Sequence, residues 1–398
     1  MNLLFWIYWD PARDIITLPI IQRPVTWYGL LFALGFIAGY YIFLEFYKKY
    51  LALRPFFTSL SEISLYSLKR FFQEHETYAG LFFQAMSLRE KNYILNYRGH
   101  EKVPKDLEKK ILAGLNRMLA EGGGEKSLLQ HKILDYSRRH LSSLEQQCLC
   151  HRLHLEESFP KIFLPLAKRA AAFGEKISLY FLMGTVLGAR LGHILFYEKL
   201  QPFLAEPLRI LKTWEGGLSS HGAAIGILIA LGFFLLRHRK NFSISFLTIL
   251  DMAVIPVSLA GAFIRIGNFI NQEILGTFTE CPWGIIFGHP ADGGLPIPRH
   301  PAQLYESVSY FAVFFLLWVI YRNKDFRRLQ GKIFGLFLIL VFSLRFGIEF
   351  LKEEQSMLLS QGAFLVMGQY LSIPLIVLGL ILWFRKEKSG YHLDKEAV

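Results

Sequence analysis

The sequence predicts an all-α integral membrane protein of about seven spanning helices, amino terminus outside and carboxyl terminus cytosolic. Three observations carry that expectation. The 398 residues are 53% hydrophobic and 15% aromatic, an apolar excess over soluble domains. The excess is gathered into separate runs, and basic residues alternate between the loops that join them.

The apolar runs are Trp27–Phe46, Ile177–Phe196, Ile225–Leu236, Phe246–Ile264, Tyr310–Ile320, Ile333–Phe350 and Leu371–Phe384. Several approach the roughly 20 residues a helix needs to cross the hydrocarbon core. The shorter ones lengthen through neighbouring small or aromatic residues. A buried core helix explains one such run, but not the whole set in one chain.

The net charge of +12 would raise nucleic acid as a partner of a soluble protein. Its placement argues for no nucleic acid here. About half of the 44 Lys and Arg residues lie between Lys48 and Lys176, and most others cluster at Arg237–Lys240, Arg322–Lys332 and Arg385–Lys388. These clusters follow the first, third, fifth and seventh runs, which is the positive-inside pattern.

The start, MNLLFWIYWDPARD, lacks a basic n-region and a small-residue cleavage site, so no cleavable signal peptide is expected. Trp6, Tyr8 and Trp9 suit a segment at the outer interface. Residues 1–47 then read as that interfacial segment plus the first span. Residues 48–174 read as a cytosolic helical insertion, 175–385 as the remaining spans and 386–398 as a tail.

The insertion shows amphipathic helices with breaks at Pro104, Gly122–Gly124 and Pro160. A basic face would rest on the inner leaflet. Within it, Cys148-Leu-Cys150-His151-Arg-Leu-His154 offers thiolate and imidazole, both zinc ligands. Its spacing is tighter than a tetrahedral site uses, so reduced, partly buried cysteines and no metal are expected. With Cys281, the three cysteines give no disulfide framework.

Polar residues in a bilayer are more informative. Arg190 lies inside the second run, Arg265 ends the fourth, and Arg345 and Glu349 stand four apart in the sixth. A charge there is costly, so it faces a cavity or a partner. Arg345 with Glu349 reads either as an intramembrane ion pair or as part of a site. Arg265 opens an amide- and carboxylate-rich stretch, Asn268-Phe-Ile-Asn271-Gln-Glu273. Two further segments are equally dense: Trp214-Glu-Gly-Gly-Leu-Ser-Ser-His221-Gly222 before the third span and Arg299-His-Pro-Ala-Gln303-Leu-Tyr305-Glu306 before the fifth. All are expected on the outer side, converging on one cavity. Guanidinium forks there suit an anionic head group.

These motifs, in this order, resemble the prolipoprotein diacylglyceryl transferase family. The matching pieces are Trp27-Tyr28-Gly29, Gly188-Ala-Arg190-Leu-Gly, the His221 and Arg299 segments, and Arg265-Ile-Gly-Asn268-Phe-Ile-Asn271-Gln-Glu273-Ile-Leu-Gly276. Further on come Arg345-Phe-Gly-Ile-Glu349-Phe and Met367-Gly-Gln369-Tyr-Leu-Ser-Ile-Pro374. The resemblance implies a bacterial inner-membrane enzyme with an outer-leaflet active site and no cofactor. Its donor would be phosphatidylglycerol and its acceptor the lipobox cysteine in a preprolipoprotein signal peptide, with membrane lipids around it. A thioether would form and glycerol phosphate leave. The family's head-group arginine corresponds to Arg265, with Arg345 as a second phosphate contact, and its histidine to His221. Tyr28, Asn268, Glu273, Gly276, Tyr305 and Glu349 match other positions it relies on. Three departures stand out: Ile264 where the family often has Gly, Lys352-Glu-Glu-Gln355 where it tends to Arg and then Pro-Asp, and the insertion.

The chemistry agrees with that implication. A thiolate is the nucleophile and a free thiol has a pKa near 8.5, so a base helps at neutral pH. His221 is the candidate base, with Tyr28 or Glu273 orienting it. Arg265, assisted by Arg345, would stabilise charge on the leaving phosphate, and Arg190 is a further candidate contact. The rival reading is a secondary transporter or binding protein for an anionic lipid or solute, which predicts a path to both faces and an internal repeat. A membrane scaffold needs no intramembrane Arg, and no His-Glu-x-x-His motif marks a metalloprotease.

Overall fold

The computed structural model describes residues 6–19, 23–54, 56–99, 101–122, 142–197, 219–238, 242, 244–323, 330–353 and 365–386. These fall into two compact units, one drawn from 6–43 and 247–386, the other from 44–246. Among the described residues, seven helices are long and apolar enough to cross a membrane, as the apolar runs predict.

In chain order the helices are α1 (Trp27–Ala52), α2 (Leu65–Glu74), α3 (Glu76–Phe83), α4 (Leu88–Leu95), α5 (Lys105–Glu121) and α6 (Ser143–Ser158). Then follow α7 (Leu166–Tyr197), α8 (Ser220–His238), α9 (Phe246–Ile270), α10 (Ala302–Asn323), α11 (Lys332–Ile348) and α12 (Met367–Phe384). The spans are α1 and α7 to α12. The breaks read from Pro104, Gly122 and Pro160 hold: Pro104 caps α5, Gly122 ends it, and Pro160 follows α6. Gly123 and Gly124 lie outside the described residues.

In the first unit α9 is the central helix, more buried than any other span. Gly35 and Gly39 of α1 meet Ala260 and Pro256 of α9. The buried carboxylate of Asp251 accepts N–H bonds from Gly331 at 2.6 Å and Phe334 at 2.8 Å. It thereby satisfies donors that the start of α11 would otherwise leave orphaned in an apolar setting. Short strands dress the loops. β1 (Ile7–Trp9) pairs in parallel with β4 (Ile285–Phe287), which pairs antiparallel with β5 (Pro298–Arg299). β2 (Asp14–Leu18) and β3 (Arg23–Thr26) form a hairpin. The aromatic start of the chain is therefore a strand stapled to α9: Trp9 donates to the Phe269 carbonyl at 3.1 Å and stacks on its ring.

In the second unit the amphipathic faces of α2 to α6 turn toward one another. Leu68, Phe71, Phe82, Ile111, Leu115, Met118 and Phe163 are all within 1% of complete burial and form one core. Each such side chain is worth about 1.5–3 kcal/mol when withdrawn from water. The apolar sides of these helices are thus spent on a shared core. α7 and α8 cross at a glycine ladder, where a Cβ on Gly188 would stand 2.7 Å from the Gly226 Cα, so only backbone fits between the helices.

Candidate active site

The first unit gathers most of the residues singled out in the sequence. Arg265, in the last turns of α9, points Nε at Glu306 Oε2 (2.8 Å) and donates from Nη1 to Asn268 Oδ1 (3.1 Å). Asn268 is three residues on, so the helix itself sets that contact. Glu306 is fully buried in the first turns of α10. Its second oxygen meets Lys352 Nζ at 2.7 Å, and Lys352 also reaches Glu349 at 3.3 Å. Tyr310, one turn beyond Glu306, hydrogen-bonds Arg265 and lies in the electrostatic range of Arg345 and Glu306. Tyr28, at the start of α1, lies in the electrostatic range of Glu273 and Arg265 without a hydrogen bond to either.

Arg345 and Glu349 do not pair. Glu349 still donates its N–H to the Arg345 carbonyl at the end of α11 and opens a 3-10 turn, Glu349–Leu351, which brings Lys352 round to its carboxylate. Glu349 takes Lys352 instead. Among the described residues Arg345 has no carboxylate partner.

The chain leaving α9 is held in a costly conformation. Gln272 has φ 57° and Ile274 φ 59°, a left-handed backbone that a β-branched residue such as isoleucine avoids. Glu273 sits between them. Its carboxylate accepts from Asn271 Nδ2 at 2.7 Å, and its carbonyl accepts from buried Gln303 at 2.7 Å. Gln272 is anchored by Asp10 (2.9 Å) and by the His289 N–H (2.7 Å). The His289 and Gln272 donors hold Asp10 below the usual carboxylate range. Gly276 then runs against the His300 backbone, which a Cβ would overlap, and bridges to Lys352. That close approach brings the lysine strand beside the loop. Tyr305 OH accepts from Trp283 (2.8 Å) and contacts His300 Nδ1 (3.1 Å).

Arg190 and His221 belong to the other unit. Arg190 is buried on α7 and His221 is exposed on the first turn of α8. Ser219 N–H bonds the Ala189 carbonyl at 2.9 Å and Ser219 Oγ accepts from Gly222 at 3.3 Å, capping α8 against α7. Residues 214–218 of the same motif lie outside the described residues. On α6, Cys148 is buried while His154 is exposed. His151 contacts the Leu119 carbonyl at 2.8 Å. Burial pushes the Cys148 thiol up to about 12. The described residues hold no group of three or more His, Cys, Asp or Glu side chains placed for a metal.

Sequence reading missed Lys352 as a site residue, and gave neither Glu306 nor Tyr310 a role. The one signal for Lys352 was its standing where the family tends to carry arginine.

A helical bundle that buries arginine, lysine and glutamate at the ends of its spans, beside a strained loop, is a polytopic membrane enzyme. A family model for prolipoprotein diacylglyceryl transferase matches residues 164–385. A phosphatidylglycerol–prolipoprotein diacylglyceryl transferase of Protochlamydia amoebophila is 34% identical over 390 residues, 96% of each chain. Enzymes of the same name from Tolumonas auensis and Chlamydia caviae are 44% and 41% identical, over 54% and 52% of this chain and 80% and 70% of theirs. The chain belongs to the prolipoprotein diacylglyceryl transferase family. The Protochlamydia alignment runs nearly end to end, so this chain's length is shared with that relative.

Proposed function

We propose that this chain transfers the diacylglyceryl group of phosphatidylglycerol to a prolipoprotein at the Arg265 cluster. The charge balance there carries the proposal. Arg265 and Lys352 meet Glu306, Lys352 also meets Glu349, and Arg345, in range of the same Tyr310 as Arg265, has no carboxylate partner among the described residues, which keeps one guanidinium unanswered. A phosphodiester carries one negative charge, and guanidinium forks match its oxygens. Buried donors placed in advance are worth most where charge develops in the transition state.

The acceptor is the thiol of a lipobox cysteine. Its thiolate sulfur attacks the glyceryl carbon that bears the phosphate ester. A carbon–sulfur bond forms, the carbon–oxygen bond breaks, and glycerol phosphate leaves with the electron pair. Arg265 and Arg345 stabilise that phosphate. The thiol proton passes to a base, assigned here to the exposed imidazole of His221, and from there to solvent. Lys352 is a positioning residue: by answering Glu306 and Glu349 it keeps either carboxylate from cancelling the arginines. Asn268 fixes the Arg265 fork, and Glu273 with Tyr28 shapes the approach to it. Gly276 and Tyr305 hold the loops that frame the cluster, and Arg190 contacts the lipid substrate. The setting is the bacterial inner membrane, with the site toward the outer leaflet and residues 48–174 as a cytosolic insertion.

The test is purified protein with phosphatidylglycerol vesicles and a lipobox peptide, read by mass spectrometry. The expected product is the peptide bearing a diacylglyceryl thioether, with glycerol phosphate released. Uptake or binding of the lipid without that product would favour the transporter reading.

A further inference from the structure

The insertion carries a groove that the transfer reaction does not use. α2, the turn after α4 and the turn after α6 enclose about 970 Å³, within the range of ordinary ligand pockets. Its floor is aromatic: Phe71 is 1% exposed and packs edge-on against Phe159 at 5.0 Å. Its rim is basic, with Lys69 and Arg70 from α2 and Arg98 and Lys161 from the two turns. The single carboxylate in the lining, Glu74, is taken by Arg70 at 3.0 Å. Among the described residues Lys69, Arg98 and Lys161 have no carboxylate partner.

A cation-rich rim alone is commonly a solvated face. Here it encloses a concave aromatic floor, as a recognition site does and a solvated face does not. Three ligand chemistries compete for it. A compact phosphate fits poorly, because helix carboxyl ends border the groove at Leu95 of α4 and Ser158 of α6. Carbonyls at such ends carry partial negative charge and accept N–H donors. A lipid head group would bring its phosphate to the same carbonyls, and the first turns of α7, from Leu166 through Lys168, Arg169, Glu175 and Lys176, are polar before the apolar run begins at Ile177. An extended acidic peptide meets every feature: carboxylates for the rim, N–H groups for the carbonyls, and an apolar side chain for the floor.

We infer that this groove docks an acidic, aromatic-containing polypeptide segment of a partner on the insertion's side of the membrane. The groove lies outside residues 164–385, the part matched by the family model, and holds none of the residues assigned to transfer.

Full-length protein in neutral-lipid nanodiscs, titrated with a fluorescein-labelled peptide of alternating glutamate and phenylalanine, tests this by anisotropy. Binding should saturate, weaken with added salt, and fall at least about tenfold in the triple variant Lys69→Glu, Arg98→Glu, Lys161→Glu. Transferase activity of that variant should match wild type. Equal binding to wild type and the variant overturns the inference, as does equal binding of the glutamine analogue of the peptide. Failure of the peptide alongside saturable binding of inorganic phosphate or anionic vesicles overturns it in favour of a phosphate ligand.

Discussion

Two buried charge clusters, one in each unit, are built from the same residue types and do different work. In the insertion, Arg152 meets Glu62 at 2.5 Å and Glu156 at 2.9 Å, and Arg169 meets Glu62 at 2.6 Å. Two cations face two carboxylates, each no more than 5% exposed. Most remaining valences are filled: Glu62 accepts from Thr58 and Ser59, Glu156 accepts from the Leu166 N–H, and Arg152 donates to the Arg54 and Phe56 carbonyls, while Arg169 Nε has no partner among the described residues. These bonds tie the end of α1 and the start of α7 to the insertion core. The cluster around Arg265 is open by contrast. In it Arg345 lacks a carboxylate partner among the described residues, and a strained loop frames it. A closed network specifies structure, while an open one keeps charge in reserve for a substrate.

Breaking the closed network should cost stability and leave the chemistry intact. Arg152→Ala strands the Glu62 and Glu156 carboxylates in a core and should destabilise the fold by about 3–5 kcal/mol. Thermal unfolding in detergent checks this, with transfer near wild type per folded molecule below the melting point. A drop in rate with an unchanged melt would reverse the roles of the two clusters.

Arg345→Ala removes a guanidinium that no carboxylate among the described residues holds. Transfer should fall by about two orders of magnitude, the scale of losing one preorganised donor, with thermal stability kept or slightly raised. A large loss of stability instead would mean that Arg345 is structural. Lys352→Met should raise KM for phosphatidylglycerol by about tenfold, the scale of losing a buried charge-assisted contact. Lys352→Arg should restore most of it, because a positioning role needs the charge more than the shape. Rescue by Arg and failure of Met is the pattern that a mere packing role would not give.

The smallest effect is electrostatic and lies at the surface. Lys110 and Ser87 hold the Glu90 carboxylate down at about 2, against 4.5 for the free side chain. The folded value is the lower one, so the stabilisation is complete above 4.5 and is lost as pH falls through about 2. Melting curves of wild type and Glu90→Gln should therefore differ near neutrality and converge in acid. A gap that widened in acid would contradict the sign.

Much of this was readable from the chain. Span positions follow from apolar runs alone, because a bilayer imposes length and composition directly. Arg265, Asn268 and Glu273 were legible as polar residues that the membrane should exclude, and Tyr28 only through the family resemblance. Pairings between distant elements were not. Lys352 meets Glu306 across 46 residues, and nothing local marks that meeting. Arg345 and Glu349 show the opposite hazard: their helical spacing suggests a pair, yet the Glu349 carboxylate takes Lys352 instead. Glu62 combines both difficulties. It completes a capping box with Ser59, a local role, while its buried partners Arg152 and Arg169 lie at least 90 residues away. The amphipathic helices between α1 and α7 were legible from their pattern, but not that their apolar sides close on one another.

The most direct test of the account is the initial rate of thioether formation by wild type and Arg265→Ala, each shown to be folded by its melting curve. The open cluster predicts a loss of at least about 10²–10³-fold for the variant with its fold intact. A folded Arg265→Ala enzyme that labels a lipobox peptide at the wild-type rate would contradict it.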